Sequence, residues 1–395
     1  ALIAPPWNFS VSIPLGGIMG ALVSGNNVIF KPAKEAVLPG FILARALWDA
    51  GVSKKRLQFL ICDDEPYGSK LVSDKRVKTV VLTGSSFTAR HLQNIQNGFK
   101  LIGETGGKNG IIVSNMSDHD LAIKEIIHSA FSYAGQKCSA ASLLLLHEEL
   151  YEDPNFKRQL RDAAASLKVG PAWKLSSKMT PLITEPSPHL LRALTTLEDG
   201  EEWLLQPVQD PSNKRLWSPG IKWGVSRGSF THMTEFFGPV LAVLKYKDLD
   251  EAIDIVNETP YGLTSGLFSL DQREIEKWKG RIVAGNLYIN RSTTGAIVER
   301  QPFGGTKDSS FGHGFKAGGP NYLFPFMDKF DKGGKNSHDA FYKGYFMKKH
   351  DPQQVLGQDN FLYYVPHQKI YTWGAKKEVA PIAEVCRLVH VPLAA

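Results

Sequence analysis

Cysteine is scarce in this chain. There are three in 395 residues, Cys62, Cys138 and Cys386, and none lies in a C-x-x-C spacing. That scarcity excludes a disulfide framework and points to a reducing, cytoplasmic compartment. No apolar run approaches the roughly 20 residues that cross a bilayer, so no integral membrane segment is expected, and no signal peptide is visible. The net charge of +7 is spread along the chain. No block of about five or six like charges occurs, which gives nucleic acid little to bind; the charge fits anionic small molecules or an acidic partner surface equally well. The eleven histidines form no H-x-x-x-H pair, so no metal site is expected. G-x-G-x-x-G is missing, since GGIMG (16–20) has the wrong spacing. GGKN (106–109) lacks the length and the hydroxyl residue of a Walker loop, and no G-x-S-x-G elbow appears.

What is present is a repeating alternation of apolar runs and helix-length segments. Strands are expected at 26–32, 57–64, 78–85 and 99–107, with a helix over 39–52 that stops at Gly51. The next set comprises strands at 109–115 and 142–151 and helices over 119–135 and 154–170. A strand at 236–246, a helix at 250–263 and a strand from 285 that runs into a long glycine-bearing loop complete the pattern. Strand, helix, strand at this spacing predicts an α/β fold with parallel sheets, whose ligands sit at the carboxyl ends of the strands. Those ends read KPAK, TGSS and ETGG, all small, polar and permissive. From about 328 the composition changes, and DKFDKGGKNSHD (328–339) is a linker candidate.

The stretch YAGQKCSA (133–140) places Cys138 after a helix-like run, among small residues and beside Lys137. A lone cysteine is ordinarily packing, and Cys62 and Cys386, with apolar neighbours, are read as buried small hydrophobes. A nucleophilic thiol needs a base, an oxyanion site and an acceptor for what leaves. Glu104 stands on the glycine turn of GETGG, Asn8 in PPWNFS, and Lys31 ends an apolar strand. Each alone reads as a turn or surface residue; together they make a candidate constellation.

In chain order, PPWNFS, FKP, LTGSS, ETGGKN, GQKCSA and EFFGPV resemble the aldehyde dehydrogenase superfamily, over roughly residues 1–325. The loop NRSTTGAIVERQPFGG and the run FGHGFKAGGPNYL resemble its pyrroline-5-carboxylate (glutamate semialdehyde) dehydrogenase group, specifically the dehydrogenase half of bifunctional proline-catabolic flavoenzymes. The resemblance implies a partial Rossmann-like NAD-binding domain (1–106), an α/β catalytic domain (107–327) and a linker with the start of a C-terminal segment (328–395). It implies NAD-dependent oxidation of L-glutamate γ-semialdehyde to L-glutamate. Cys138 would be the nucleophile, Asn8 the oxyanion donor and Glu104 the base for hydrolysis of the thioester. Lys31, Lys34, Gly84, Ser85, Glu235 and Phe237 would line the cofactor, and Ser139, Gly295, Ala296 and Phe303 the substrate. Many family members carry an acid where this chain has Lys34, which leaves NADP use open. The chain begins without methionine inside a strand-like run, so it is expected to be a fragment of a longer polypeptide. The resemblance places a proline dehydrogenase domain with FAD upstream, implies a homo-oligomer and allows a peripheral location at the inner membrane. Another aldehyde substrate, an inactive scaffold and a nucleotide-independent thiol hydrolase remain open alternatives on sequence alone.

Overall fold

The computed structural model describes residues 1–95, 98–314, 316–328, 342–367, 369–372 and 376–394. The expected linker at 328–339 lies almost wholly outside the described residues. The chain divides into two compact units, one of residues 1–295 and 303–326, the other of 296–302 and 327–395.

The first unit is built on two large sheets, beside two short two-stranded ladders. One contains the parallel strands β1 (Leu2–Ala4), β2 (Val28–Phe30), β3 (Leu57–Phe59), β4 (Thr79–Thr83) and β5 (Lys100–Glu104). Their order is β3–β2–β1–β4–β5, so the winding reverses between β1 and β4. Such a reversal opens a crevice at the carboxyl ends of the two strands. The residues there are Pro5 to Asn8 after β1 and Gly84–Ser85 after β4.

The second sheet contains β6 (Asn109–Val113), β7 (Ala141–His147), β8 (Glu202–Leu205), β9 (Gly220–Trp223), β10 (Val240–Tyr246), β11 (Thr264–Phe268) and β12 (Asn286–Ile289). Their order is β12–β11–β6–β7–β10–β9–β8, and every pairing is parallel except that of β8 with β9. The central strands are apolar on both faces because helices cover both. Ile111, Leu144 and Leu146 enter one core cluster, while Ile112, Leu143 and Leu145 enter the other. The last strand, β13 (Ser310–Gly312), returns to the first sheet and pairs antiparallel with β5, setting Ser310 opposite Glu104.

The helices that cover the second sheet start where the sequence supplies a cap. Asp118, Asp153, Asp248 and Asp271 each accept a backbone N–H at the head of the helices His119–Phe131, Pro154–Ala165, Leu249–Glu258 and Gln272–Arg281. The helix Ser12–Val23 carries no comparable signal. It is apolar all round and holds three glycines, so it has no period to read. Its glycines serve contact: a Cβ on Gly17 would lie 3.2 Å from Ile3, and one on Gly20 3.1 Å from Phe326. The strands β8, β9 and β11 and the helices Ser86–Ile95 and Gln272–Arg281 are likewise structured where the sequence suggested no element. Cys386 is buried, but Cys62 is only half-buried, because β3 ends at Phe59 and leaves Cys62 on the following loop.

The second unit contains the helix Lys376–Leu388 and a two-stranded parallel ladder joining Ile370–Tyr371 to Leu393–Ala394. Tyr345, Phe346, His350 and Tyr364 form its aromatic cluster. No helix among the described residues is long and apolar enough to cross a membrane.

Candidate active site

The helix His119–Phe131 ends in a strained turn. Tyr133 (φ 58°), Ala134 (φ 53°) and Gly135 (φ 70°) are three consecutive left-handed residues. Two of them carry a Cβ, at a cost of roughly 1–2 kcal/mol each. Gly135 has no alternative, since a Cβ there would lie 2.3 Å from the carbonyl oxygen of Gly238. Such strain collects where a structure holds a functional segment in place. The turn delivers Gln136, Lys137 and Cys138 to the amino end of β7, the central strand of the second sheet.

Asn8 reaches this turn from the first sheet. Its Nδ2 donates to the carbonyl oxygen of Gln136 at 2.9 Å, two residues from the cysteine. One amide hydrogen is thereby engaged, and the second stays free to donate elsewhere. Glu104, the last residue of β5, also lies close enough to Cys138 for its charge to be felt. The thiol keeps some accessible surface yet sits deep among protein atoms. Burial pushes it well above the usual thiol range, and the carboxylates of Glu104 and Glu235 push it further. The backbone N–H groups of Ser139 and Cys138 act in the opposite direction. Lys137 is not aimed at the sulfur; its Nζ donates to Ser132 Oγ at 3.1 Å.

Glu104 is itself pushed up to about 8 by burial, partly opposed by the ammonium of Lys316. Near neutral pH it is therefore largely protonated, which relieves the repulsion on the thiol. Lys316 donates to the carbonyl oxygen of Gly304 at 3.1 Å, to Asn286 Oδ1 at 3.2 Å and to the carbonyl oxygen of Gly285. Burial lowers its amine to about 8.

Glu235 is folded against the glycine turn that follows β5. Its Oε1 accepts the N–H of Gly107 at 2.7 Å, and a Cβ on Gly106 would lie 2.0 Å from its Oε2. Burial raises it to about 7, against the pull of the Gly107 N–H and of Lys108. Lys108 is almost fully buried, with Nζ 4.1 Å from the ring centroid of Phe236 and lowered to about 7 by burial. Phe237, in a left-handed conformation (φ 55°), meets Trp7 edge-on at 5.8 Å.

The remaining expected residues are placed as follows. The N–H of Gly84 donates to the carbonyl oxygen of Glu104 at 3.1 Å, tying the switch point to the carboxylate strand. Ser85 Oγ accepts the N–H of Thr88 at 3.1 Å, at the head of the helix Ser86–Ile95. Lys31 Nζ is ion-paired to Asp64 Oδ1 at 2.6 Å, while Lys34 points into solvent near Glu35. Ser139 is buried, and its carbonyl oxygen accepts the hydroxyl of Thr293 at 2.9 Å, which links the loop after β12 to the cysteine turn. Gly295 (φ 86°) lies two residues beyond Thr293 with open space where a Cβ would be. Phe303 is held in a backbone bridge with Ala317. Ala296 is exposed and belongs to the second unit.

Sequence reasoning gave no role to Lys108, Asn109 or Lys316. The motifs ETGGKN and FGHGFKAGG were visible, but only the fold shows that these side chains turn inward, so no local signal could have singled them out.

A cysteine on a strained turn, a carboxyl at a strand end beside it and a reversal of winding at the crevice of the first sheet are consistent with one class of enzyme. The chain belongs to the aldehyde dehydrogenase family, whose profile spans residues 1–329. It is 34% identical over 336 residues to 1-pyrroline-5-carboxylate dehydrogenase of Oceanobacillus iheyensis, an alignment that covers 83% of this chain and 64% of that protein. The chain thus spans a little under two thirds of that relative's length. Among solved structures, it superposes on proline utilization A (PutA) of Corynebacterium freiburgense with a TM-score of 0.93 at 38% identity, covering 100% of this chain and 43% of that one. It superposes on a Thermus 1-pyrroline-5-carboxylate dehydrogenase with bound NAD with a TM-score of 0.77 at 33% identity, covering 83% of this chain and 64% of that one. The PutA match therefore reaches residues that the Thermus match leaves out.

Proposed function

We propose that this chain carries out NAD-dependent oxidation of L-glutamate γ-semialdehyde to L-glutamate through a covalent thioester on Cys138. The observation that carries the reading is the meeting of Asn8, from the loop after β1, and Glu104, from the end of β5, at the Cys138 turn of the second sheet. In this scheme the Cys138 thiolate attacks the aldehyde carbon. The free Nδ2 hydrogen of Asn8 and the backbone N–H of Cys138 donate to the oxyanion that forms. Bound NAD supplies a hydride acceptor, which leaves an acyl group on the sulfur. Glu104, once ionised, takes a proton from water, and the resulting hydroxide displaces the thiolate.

The residues of the first sheet fit a dinucleotide. Gly84 at the switch point has only Leu82 near its missing Cβ, and the helix Ser86–Ile95 presents its N-terminus there, a favourable end for a pyrophosphate. Lys31 would contact the adenosine ribose and Glu235 the nicotinamide ribose; Glu235 must first leave the N–H of Gly107. Asp64, paired to Lys31, disfavours a further anionic group at that lysine and so favours NAD over NADP. Ser139 and the Gly295 turn would hold the substrate carboxylate by N–H and O–H donors. The PutA likeness supports a further proposal, that the full polypeptide also carries a proline dehydrogenase domain with FAD and assembles as an oligomer.

The test is NAD reduction with glutamate semialdehyde against propionaldehyde, which lacks the carboxylate. We expect kcat/KM to favour the former by about tenfold or more, the worth of a charge-assisted hydrogen bond, and to fall when NADP replaces NAD. Equal rates on the two aldehydes would remove the substrate assignment; no reduction of either dinucleotide would remove the dehydrogenase reading. Asn8→Ala should lower kcat about 10²–10³-fold with little change in KM, because its bond to the oxyanion exists only after attack. Parallel steady-state measurements of kcat and KM check this.

A further inference from the structure

The residue that ties β6 to the nucleophile turn is Asn109. It is 2% exposed, and its side-chain amide makes three hydrogen bonds. Nδ2 donates to the carbonyl oxygens of Cys138 at 2.7 Å and of Ala140 at 2.8 Å, while Oδ1 accepts the N–H of Thr264 from β11 at 3.0 Å. Space for that amide depends on Gly107, where a Cβ would lie 2.6 Å from Asn109 Oδ1.

The direction of these bonds has a chemical consequence. The carbonyl of Cys138 and the N–H of Ser139 belong to one peptide group, and in a planar trans peptide they point to opposite sides. Drawing the carbonyl inward onto Asn109 therefore turns the Ser139 N–H outward. There it meets the Cys138 sulfur, where it favours the thiolate. Against burial and two nearby carboxyl groups, this donor and the N–H of Cys138 itself supply the opposing influence on that sulfur.

We propose that Asn109 is a positioning residue for the nucleophile: by gripping the Cys138 and Ala140 carbonyls it fixes the Ser139 N–H on the sulfur and so sets the reactivity of the thiol. The proposal rests on the reading of Cys138 as the nucleophile, but its test does not use turnover. The test is alkylation of Cys138 by iodoacetamide across a pH range in the protein without cofactor, followed on the Cys138 peptide by mass spectrometry. Asn109→Asp keeps the acceptor for Thr264 and replaces the two donors; Asn109→Ser removes the reach without adding a buried charge. In both we expect alkylation at a given pH to slow about tenfold or more and the midpoint of the pH profile to move upward, while Cys62 alkylates as before. Wild-type rates and midpoint in a folded Asn109→Ser protein would overturn the proposal. A measurement that leaves Asn109 intact guards against both variants misfolding. The Ser139 amide should exchange slowly with deuterium in the wild type and faster in Cys138→Ala; fast exchange in the wild type would also overturn it. Failure of Cys138→Ala to lose aldehyde oxidation, by contrast, would count against the nucleophile reading and leave the alkylation result standing.

Discussion

Cys138→Ala should reduce aldehyde oxidation by about 10⁴-fold or more, to the background without enzyme, while NAD still binds. The reason for the size is that the covalent route disappears altogether. Without the sulfur there is no tetrahedral adduct from which hydride can leave, and neither Asn8 nor Glu104 can supply a substitute. Retention of NAD binding follows from the layout of the first unit. The residues proposed to hold the nucleotide, Lys31, Gly84 and Ser85, directly follow strands of the first sheet and do not depend on the thiol. Stopped-assay rates for wild type and variant, with NAD titrated by calorimetry, check both halves. A variant that keeps a substantial share of the activity would show that the oxidation uses another group. A variant that loses NAD binding along with activity would show misfolding instead.

Glu104→Gln should separate the two halves of the cycle. Acylation needs the thiol and the oxyanion donors, so one equivalent of NADH per active site should still appear in a burst. Steady-state turnover should then fall about 10²–10⁴-fold, the usual worth of a positioned general base. In the wild type, burial raises Glu104 to about 8, so the base becomes available only as pH rises through that value. The hydrolytic step should accordingly climb between neutral pH and about 9 and then level, and that limb should be missing in the glutamine variant. The sign for stability is opposite. A carboxyl whose folded pKa is raised stabilises the fold most at low pH, and that contribution is lost as pH rises through about 8. Glu104→Gln should therefore match wild type in Tm near pH 5 and exceed it near pH 9. An intact steady-state rate in Glu104→Gln would remove the assignment of the base, and a lower Tm at every pH would mean that the carboxylate is structural.

The residue types of the site were legible in the sequence, as Asn8, Glu104, Cys138 and Glu235 each sit in a short motif of small or aromatic neighbours. What those side chains experience was not legible. The sequence places Lys137 beside the cysteine, which suggests a lowered thiol. The fold turns that ammonium to Ser132 and sets two buried carboxyl groups near the sulfur instead. Lys31 shows the same limit. It ends an apolar strand in the sequence, but its partner Asp64 arrives only because β3 lies alongside β2.

By itself the sequence determined much of the alternation of strand and helix in this protein, because apolar period acts within a few residues, but not the elements that lack such a period, among them the helices Ser12–Val23 and Ser86–Ile95. It also singled out Cys138, Glu104 and Asn8 as candidates for nucleophile, base and donor. Only the tertiary structure decided that the winding reverses between β1 and β4, that the glycine-rich helix Ser12–Val23 packs between its neighbours, and that Asn109 faces the Cys138 turn rather than solvent. Those outcomes depend on contacts between segments far apart in the chain. Burial, and the charges it brings together, then set the proton affinities at the site, and neither is written in any local stretch.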